Sequence, residues 1–251
     1  MDTEVSSIGI VVQGPTTYVD ELISVYRDVM NVVWSTWVSE PRENLKKLEM
    51  AGIRYVLNTP PQNSGCSHIN YQCLSTSKGI SELSQRNPAL SSFIKIRSDL
   101  LIEGLSALLL HTSAVLRDHE IAFIGAHRLK GGYLMDYVVA GRQTEMLRFW
   151  NLDDRSTSGF PFPEAWLQNR YFDRYSLVNG TILRSPGLCY IPLDDVELYA
   201  LKWNYYLSEL PEALYVINRS ERNRFLGGVA RLFRYLTRKY IFGYIAKQKK
   251  T

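Results

Sequence analysis

Four short strand-like runs in the first hundred residues alternate with segments whose apolar residues recur at helical spacing. Ile8 to Val12 stops at Gly14-Pro15, and Asp20 to Val29 then carries a helical pattern. Val32 to Thr36 reads as a second strand, and Pro41 to Met50 as a helix with proline at a tolerated first-turn position. Ile53 to Leu57 is a third strand, ended by the polar loop Asn58 to Asn70, and Ile69 to Leu83 reads as a helix leading to a fourth strand, Phe93 to Ile96. A helix between successive strands brings the chain back to the same end of the sheet, so the strands can pair in parallel. The expectation is an α/β fold: a single Rossmann-type domain with a mainly parallel sheet. At 251 residues the chain is near the upper size of one compact domain, so residues 1–218 are assigned to it and 219–251 to a helical tail.

Open parallel sheets bind ligands beyond the carboxyl ends of their strands. Gln13, Ser35, Asn58 and Asp99 each fall at or past an expected strand end, which places them on one rim. Ordinary turn chemistry is the commoner explanation for any one of them, since Asn, Asp, Ser and Gly dominate turns, but less so for the set. Farther on, Ile121 to Ala126 and Leu183 to Ile191 read as strands, and Thr144 to Trp150 and Pro163 to Arg174 as helices. The polar stretch Asn151 to Gly159 between those helices is a candidate lid.

Several function classes are disfavoured. Cys66, Cys73 and Cys189 are odd in number and lack paired zinc spacing, which fits a reducing cytosol. The start Met1-Asp2-Thr3-Glu4 does not read as a secretory signal, and no run reaches the roughly 20 apolar residues of a membrane span. No Gly-x-Gly-x-x-Gly, P-loop or Gly-x-Ser-x-Gly sequence occurs, against dehydrogenases, P-loop nucleotidases and serine hydrolases. The net charge of +4 is unevenly spread: from Arg219 onward ten Lys and Arg face only Glu221, a net +9, and the preceding residues carry −5. On a helical wheel Phe225, Val229, Leu232, Phe233, Leu236, Tyr240 and Tyr244 oppose Arg224, Arg231, Arg234 and Arg238. Such a basic amphipathic helix suits an anionic membrane surface; packing against the domain explains it equally. With an acidic body and no binding motif, nucleic acid is not an expected partner.

Ile10-Val11-Val12-Gln13-Gly14-Pro15, Ser35-Thr36-Trp37, Asn58, Asn70-Tyr71-Gln72 with Ser75 and Gly79, and Lys95-Ile96-Arg97-Ser98-Asp99 follow in order. Leu134-Met135-Asp136-Tyr137 with Gly141, and Pro163-Glu164 with Leu167, extend the set over roughly residues 8 to 170. In this order the pieces resemble the WavE-type family of lipopolysaccharide-synthesis glycosyltransferases. The resemblance implies a GT-A-like fold and a nucleotide-sugar donor. Such enzymes commonly place an Asp-x-Asp triplet after the fourth strand to hold a divalent metal, Mg or Mn, against the donor diphosphate. Here the triplet is Arg97-Ser98-Asp99, so Asp99 is the single candidate metal ligand and Arg97 could grip a phosphate directly.

Sugar transfer needs positive charge for the departing phosphate and a carboxylate to take the acceptor's proton. Lys95 and Arg97 alternate along the fourth strand and so share a face beside Asp99. An internal Arg97–Asp99 ion pair is the plain structural alternative. Gln13, Gly14 and Asn58 complete the expected donor site. Asp136, near Gly131-Gly132, and Glu164, in a helix's first turn, are the candidate bases, although a first-turn carboxylate also simply suits the helix dipole. Asp194-Asp195, as metal ligands, and His127 are weaker candidates, since an acidic loop and a surface histidine are the commoner explanations. The expected function is a cytoplasmic glycosyltransferase, peripheral on the inner membrane face, acting on a glycan or lipid-linked acceptor. The alternatives are a non-catalytic scaffold subunit of a polysaccharide-assembly complex and a sugar-phosphate nucleotidyltransferase.

Overall fold

A computed structural model describes residues 7–116, 121–124, 135–151, 163–174, 188–191, 197–200 and 205–206. The first hundred residues form the expected alternation. Strands β1 (Ile8–Gln13), β2 (Val32–Trp37), β3 (Arg54–Asn58) and β4 (Ser92–Arg97) are separated by helices α1 (Val19–Tyr26), α2 (Arg42–Met50) and α3 (Ile69–Arg86). There follow β5 (Leu100–Glu103), α4 (Leu105–Val115), β6 (Ile121–Ile124), β7 (Val138–Arg142), α5 (Gln143–Phe149), α6 (Pro163–Arg174), β8 (Leu188–Ile191), β9 (Glu197–Ala200) and β10 (Tyr205–Tyr206). The segment after Tyr206 lies outside the described residues, and with it the expected tail helix. So do most of the candidate lid, His127 and Asp194-Asp195.

Seven strands form one sheet in the order β3-β2-β1-β4-β7-β6-β8. Neighbours β3, β2, β1 and β4 pair in parallel, β7 runs antiparallel to both β4 and β6, and β6 pairs in parallel with β8. The sheet is therefore parallel except at β7. A smaller antiparallel sheet, β10-β9-β5, joins it through the turn at Ser98-Asp99, where the chain leaves β4 and enters β5.

β1, β2 and β4 are buried through nearly their whole length, as central strands covered on both faces must be, and this is why they read as continuous apolar runs. α3 lies on one face, against β1, β2 and β3. Its approach is set by Gly79: a Cβ there would stand 2.5 Å from Val11 Cγ1 and 3.2 Å from the Ser35 Cβ. Alanine would gain about 1 kcal/mol in helix propensity but overpack the contact at about 1–3 kcal/mol. Gly79→Ala should therefore lower the midpoint of urea unfolding, and an unchanged or raised midpoint would show that α3 can lift off without penalty.

β2 runs to Trp37, past the expected end at Thr36. Ser35 is consequently an interior strand residue, fully buried, whose Oγ donates to Ser75 O at 2.6 Å. Asn58 donates from Nδ2 to Ser35 Oγ at 2.9 Å and to Thr36 O at 2.7 Å. This relay ties β3, β2 and α3 together, and it answers polar groups that would otherwise be buried without partners.

Candidate active site

The strand order reverses at β1. The chain moves outward from β1 through β2 to β3 on one side, then returns to place β4 on the other. The crevice past the carboxyl ends of β1 and β4 is the switch point where such sheets bind ligands. A cleft of about 680 Å³ opens there, within the usual range for small-molecule sites. It is lined by β1 and its following turn (Gln13, Gly14, Pro15, Thr17, Tyr18), the end of β2 (Trp37) and the entry to α3 (Ser67, His68, Tyr71, Gln72). Arg97 at the end of β4, Ser98 and Asp99 after it, and Met135, Pro163 and Glu164 complete it.

Register explains why these side chains converge. Gln13 is paired with both Ser35 and Arg97, and partners across parallel strands project from the same face. Two residues beyond Ser35 along β2, Trp37 shares that face and brings its ring to the rim. The turn after β1 is packed hard against the turn after β4: Ser98 N donates to Gln13 O at 2.9 Å, and a Cβ on Gly14 would stand 2.5 Å from Ser98 Oγ. Gly14 also has φ +129, a conformation other residues rarely adopt. The rest of the loop is held from outside. Thr16 N donates to Glu40 Oε2 at 2.9 Å, the Thr16 hydroxyl also bonds Glu40, and Asn44 Nδ2 donates to Thr16 O at 3.2 Å. The wall is thus preorganised rather than formed by a ligand.

Arg97 and Asp99 form a two-pronged pair, with Nε donating to Oδ1 at 2.9 Å and an Nη to Oδ2 at 2.5 Å. The guanidinium also lies 5.0 Å from the centre of the Tyr137 ring. Both side chains remain about a fifth exposed at the cleft, at 20% and 18%. The Arg97–Asp99 ion pair weighed from the sequence therefore exists, and it sits inside the candidate site rather than apart from it.

Lys95 shares the face of Arg97 but stands one strand repeat deeper, where α3 and Trp150 cover it completely. Its ammonium donates to Asp136 O at 2.6 Å and to Gln72 Oε1 at 3.1 Å, lies 3.6 Å from Asp136 Oδ2 and rests 4.6 Å from the centre of a Trp150 ring. Burial lowers its pKa to about 8, with Asp136 opposing the shift. Asp136 is itself fully buried, and neither carboxylate oxygen has a hydrogen-bond partner among the described residues. Lys95 and Asp136, expected in the donor and base roles, are placed behind the cleft wall as each other's counter-ions. Asn58, held by Ser35 and Thr36, is likewise not among the cleft-lining residues.

Glu164 does line the cleft and is 6% exposed. Burial, reinforced by the negative charge of Asp136, pushes its pKa up to about 7, against the pull of Arg97 and Lys95. A carboxylate poised near neutrality in a cleft is suited to proton transfer. An aromatic corner faces the same space: Trp37 and Tyr71 meet edge to face at 4.8 Å, and Tyr71 and His68 at 5.6 Å. Ser67 and His68 carry left-handed backbone, φ 47 and 64, where the chain turns into α3. In the sequence Trp37 and Tyr71 stand out only as parts of a resemblance. An aromatic ring at a strand end beside a turn is the available signal, but the corner needs α3 folded over the sheet.

The donor set around Asp99 does not fit a divalent metal. Both of its oxygens already accept from Arg97, and among the described residues no group of three or more His, Cys, Asp or Glu side chains is placed to hold an ion. Among the same residues no helix is long and apolar enough to cross a membrane.

No protein-family model matches the chain. No curated protein matches it either. Solved structures resemble it at low identity. One is a 4-diphosphocytidyl-2C-methyl-D-erythritol synthase from Anaerococcus prevotii, at 11% identity and TM-score 0.47, covering 92% of this chain and 99% of that one. Another is a glycosyltransferase involved in glycosylation of the major capsid of PBCV-1, at 15% and 0.41, covering 73% and 79%. A third, assigned as a glucose-1-phosphate thymidylyltransferase from Bacillus anthracis and complexed with sucrose, stands at 8% and 0.44, covering 86% and 99%. Likenesses this distant transfer no chemistry, so the class is set by the chain's own features: an α/β protein with a preformed ligand cleft at the switch point of a largely parallel sheet.

Proposed function

We propose that this protein is a glycosyltransferase that moves a sugar from a nucleotide-activated donor to a lipopolysaccharide or other surface-polysaccharide acceptor, as its resemblance to WavE-type sequences suggests. The observation that carries the reading is the meeting of Arg97 and Glu164 in one preorganised cleft at the switch point. Departure of a nucleoside diphosphate builds negative charge that a guanidinium can meet with paired hydrogen bonds. Attack by a sugar hydroxyl requires that its proton leave; of the two carboxylates that line the cleft, Asp99 is held by Arg97, and Glu164 is the one assigned to accept it. Gln13 and Ser98 supply further polar contacts, and the Trp37–Tyr71 corner offers a flat apolar face to a ring. Lys95 and Asp136 support this wall from behind. The surplus of basic residues after Asn218 supports contact with an anionic membrane surface, where lipid-linked acceptors reside.

One observation favours a second reading, transfer of a nucleotidyl group onto a sugar phosphate. Burial and the Asp136 charge raise the pKa of Glu164 towards neutrality and so favour its protonated form, and an attacking phosphate, already anionic, needs no base. Thermal unfolding of the full chain in the presence of a panel of nucleotide sugars and nucleoside triphosphates separates the readings. Stabilisation by a nucleotide sugar, with sugar transfer and no pyrophosphate release, is the expected result. Stabilisation by a triphosphate with pyrophosphate release would select the second reading, and no response to any of them would leave a scaffold role.

A further inference from the structure

We infer that Arg97 is the built-in cation of this cleft: it fills on Asp99 the place a divalent metal would take and meets the donor's diphosphate itself, so that nucleotide binding proceeds without metal. This rests on the nucleotide-sugar reading and deepens it.

A nucleoside diphosphate brings negative charge that a partly buried cleft must answer. Among the described residues lining the cleft, the cationic side chains are Arg97 and, when protonated, His68, whereas Asp99 and Glu164 are acidic. Lys95, the other cation on that face of β4, is fully buried and directed at Asp136 and Gln72. Charge recognition of a phosphate therefore falls chiefly to Arg97.

Geometry agrees. The fork from Nε and Nη engages both Asp99 oxygens, so an incoming cation would have to share one carboxylate with a guanidinium of like charge or displace it. The same fork fixes the plane of the guanidinium, and Tyr137 lies 5.0 Å from it, so the group meets its ligand already oriented. Its partial exposure leaves it reachable from the cleft. Asp99 thus orients a cation, which is what a metal-binding carboxylate does with an ion.

The test is calorimetric titration of the full chain with UDP, CDP, GDP and ADP, once in EDTA and once in Mn²⁺. At least one of them should bind equally well in both. Arg97→Ala should weaken that binding by about 10–100-fold in EDTA, the loss of a charge-assisted pair of hydrogen bonds. Arg97→Asp, which offers two carboxylates separated by Ser98, should bind only with Mn²⁺. Binding by the unmodified chain that requires Mn²⁺ would overturn the inference while leaving the nucleotide-sugar reading intact, and this comparison depends on no variant folding. Arg97→Asp binding in EDTA as tightly as the unmodified chain would overturn it as well. Failure of all four nucleotides under both conditions would remove the nucleotide reading and the inference with it.

Discussion

Lys95→Met should destabilise the protein by about 3–5 kcal/mol, because it leaves the Asp136 carboxylate buried without its counter-ion. Lys95 and Asp136 are both fully buried, with their charged groups 3.6 Å apart. In addition, the ammonium ties Asp136 O and Gln72 Oε1 together, which joins the β7 entry to α3. The removal of one partner costs far more than the pair is worth, since the pair must first repay the desolvation of both charges. The double variant Lys95→Met with Asp136→Leu should therefore recover much of the loss, and a double-mutant cycle by urea unfolding measures the recovery. A single variant within about 1 kcal/mol of the unmodified protein would mean that the pair is not the buried strut described.

Glu164→Gln should reduce turnover by about 10²–10⁴-fold, the usual contribution of a positioned general base. The pH profile gives the sharper signature. The carboxylate must be ionised to accept a proton, and burial with the Asp136 charge lifts its pKa to about 7. With the unmodified protein kcat/KM should fall as the pH drops through about 7, and with Glu164→Gln that acidic limb should vanish from the residual rate. Glutamine keeps the shape of the side chain, so a loss of rate with the limb preserved would assign the titration to another group. Unchanged turnover would support attack by a phosphate instead of a hydroxyl.

The α/β alternation was legible because it depends on local chemistry. The apolar β-branched run bounded by Gly14-Pro15 can be little other than a buried strand, and Pro163 to Arg174 carried a helix at its observed limits. Of the four residues expected on the rim, Gln13 and Asp99 reached it, because a strand's end is written in the sequence, whereas Ser35 and Asn58 are tied into the interior instead; Gly14 and Arg97, expected at the donor site, also line the cleft. Less legible were α4 and β7. Leu105 to Val115 is apolar on most sides and shows little periodicity, whereas Val138 to Arg142 is too short to declare its direction.

Depth was the quantity that alternation could not supply. Lys95 and Arg97 share a face, as their spacing requires, yet one lies under α3 and Trp150 while the other looks into the cleft. What covers a strand residue is decided by elements distant in sequence, and so is the environment that sets a carboxylate's proton affinity. Of the two candidate bases the sequence favoured Asp136, beside its glycines, over Glu164, whose first-turn position suits a helix anyway; packing reversed the order, placing Asp136 against a buried ammonium and Glu164 in the cleft. The sequence by itself determined the alternating elements and the residues that could reach the carboxyl rim, because both follow from backbone periodicity and turn chemistry. Tertiary structure alone decided which charges are spent inside the protein and which meet a ligand, because desolvation and pairing depend on the neighbours that only the fold brings near.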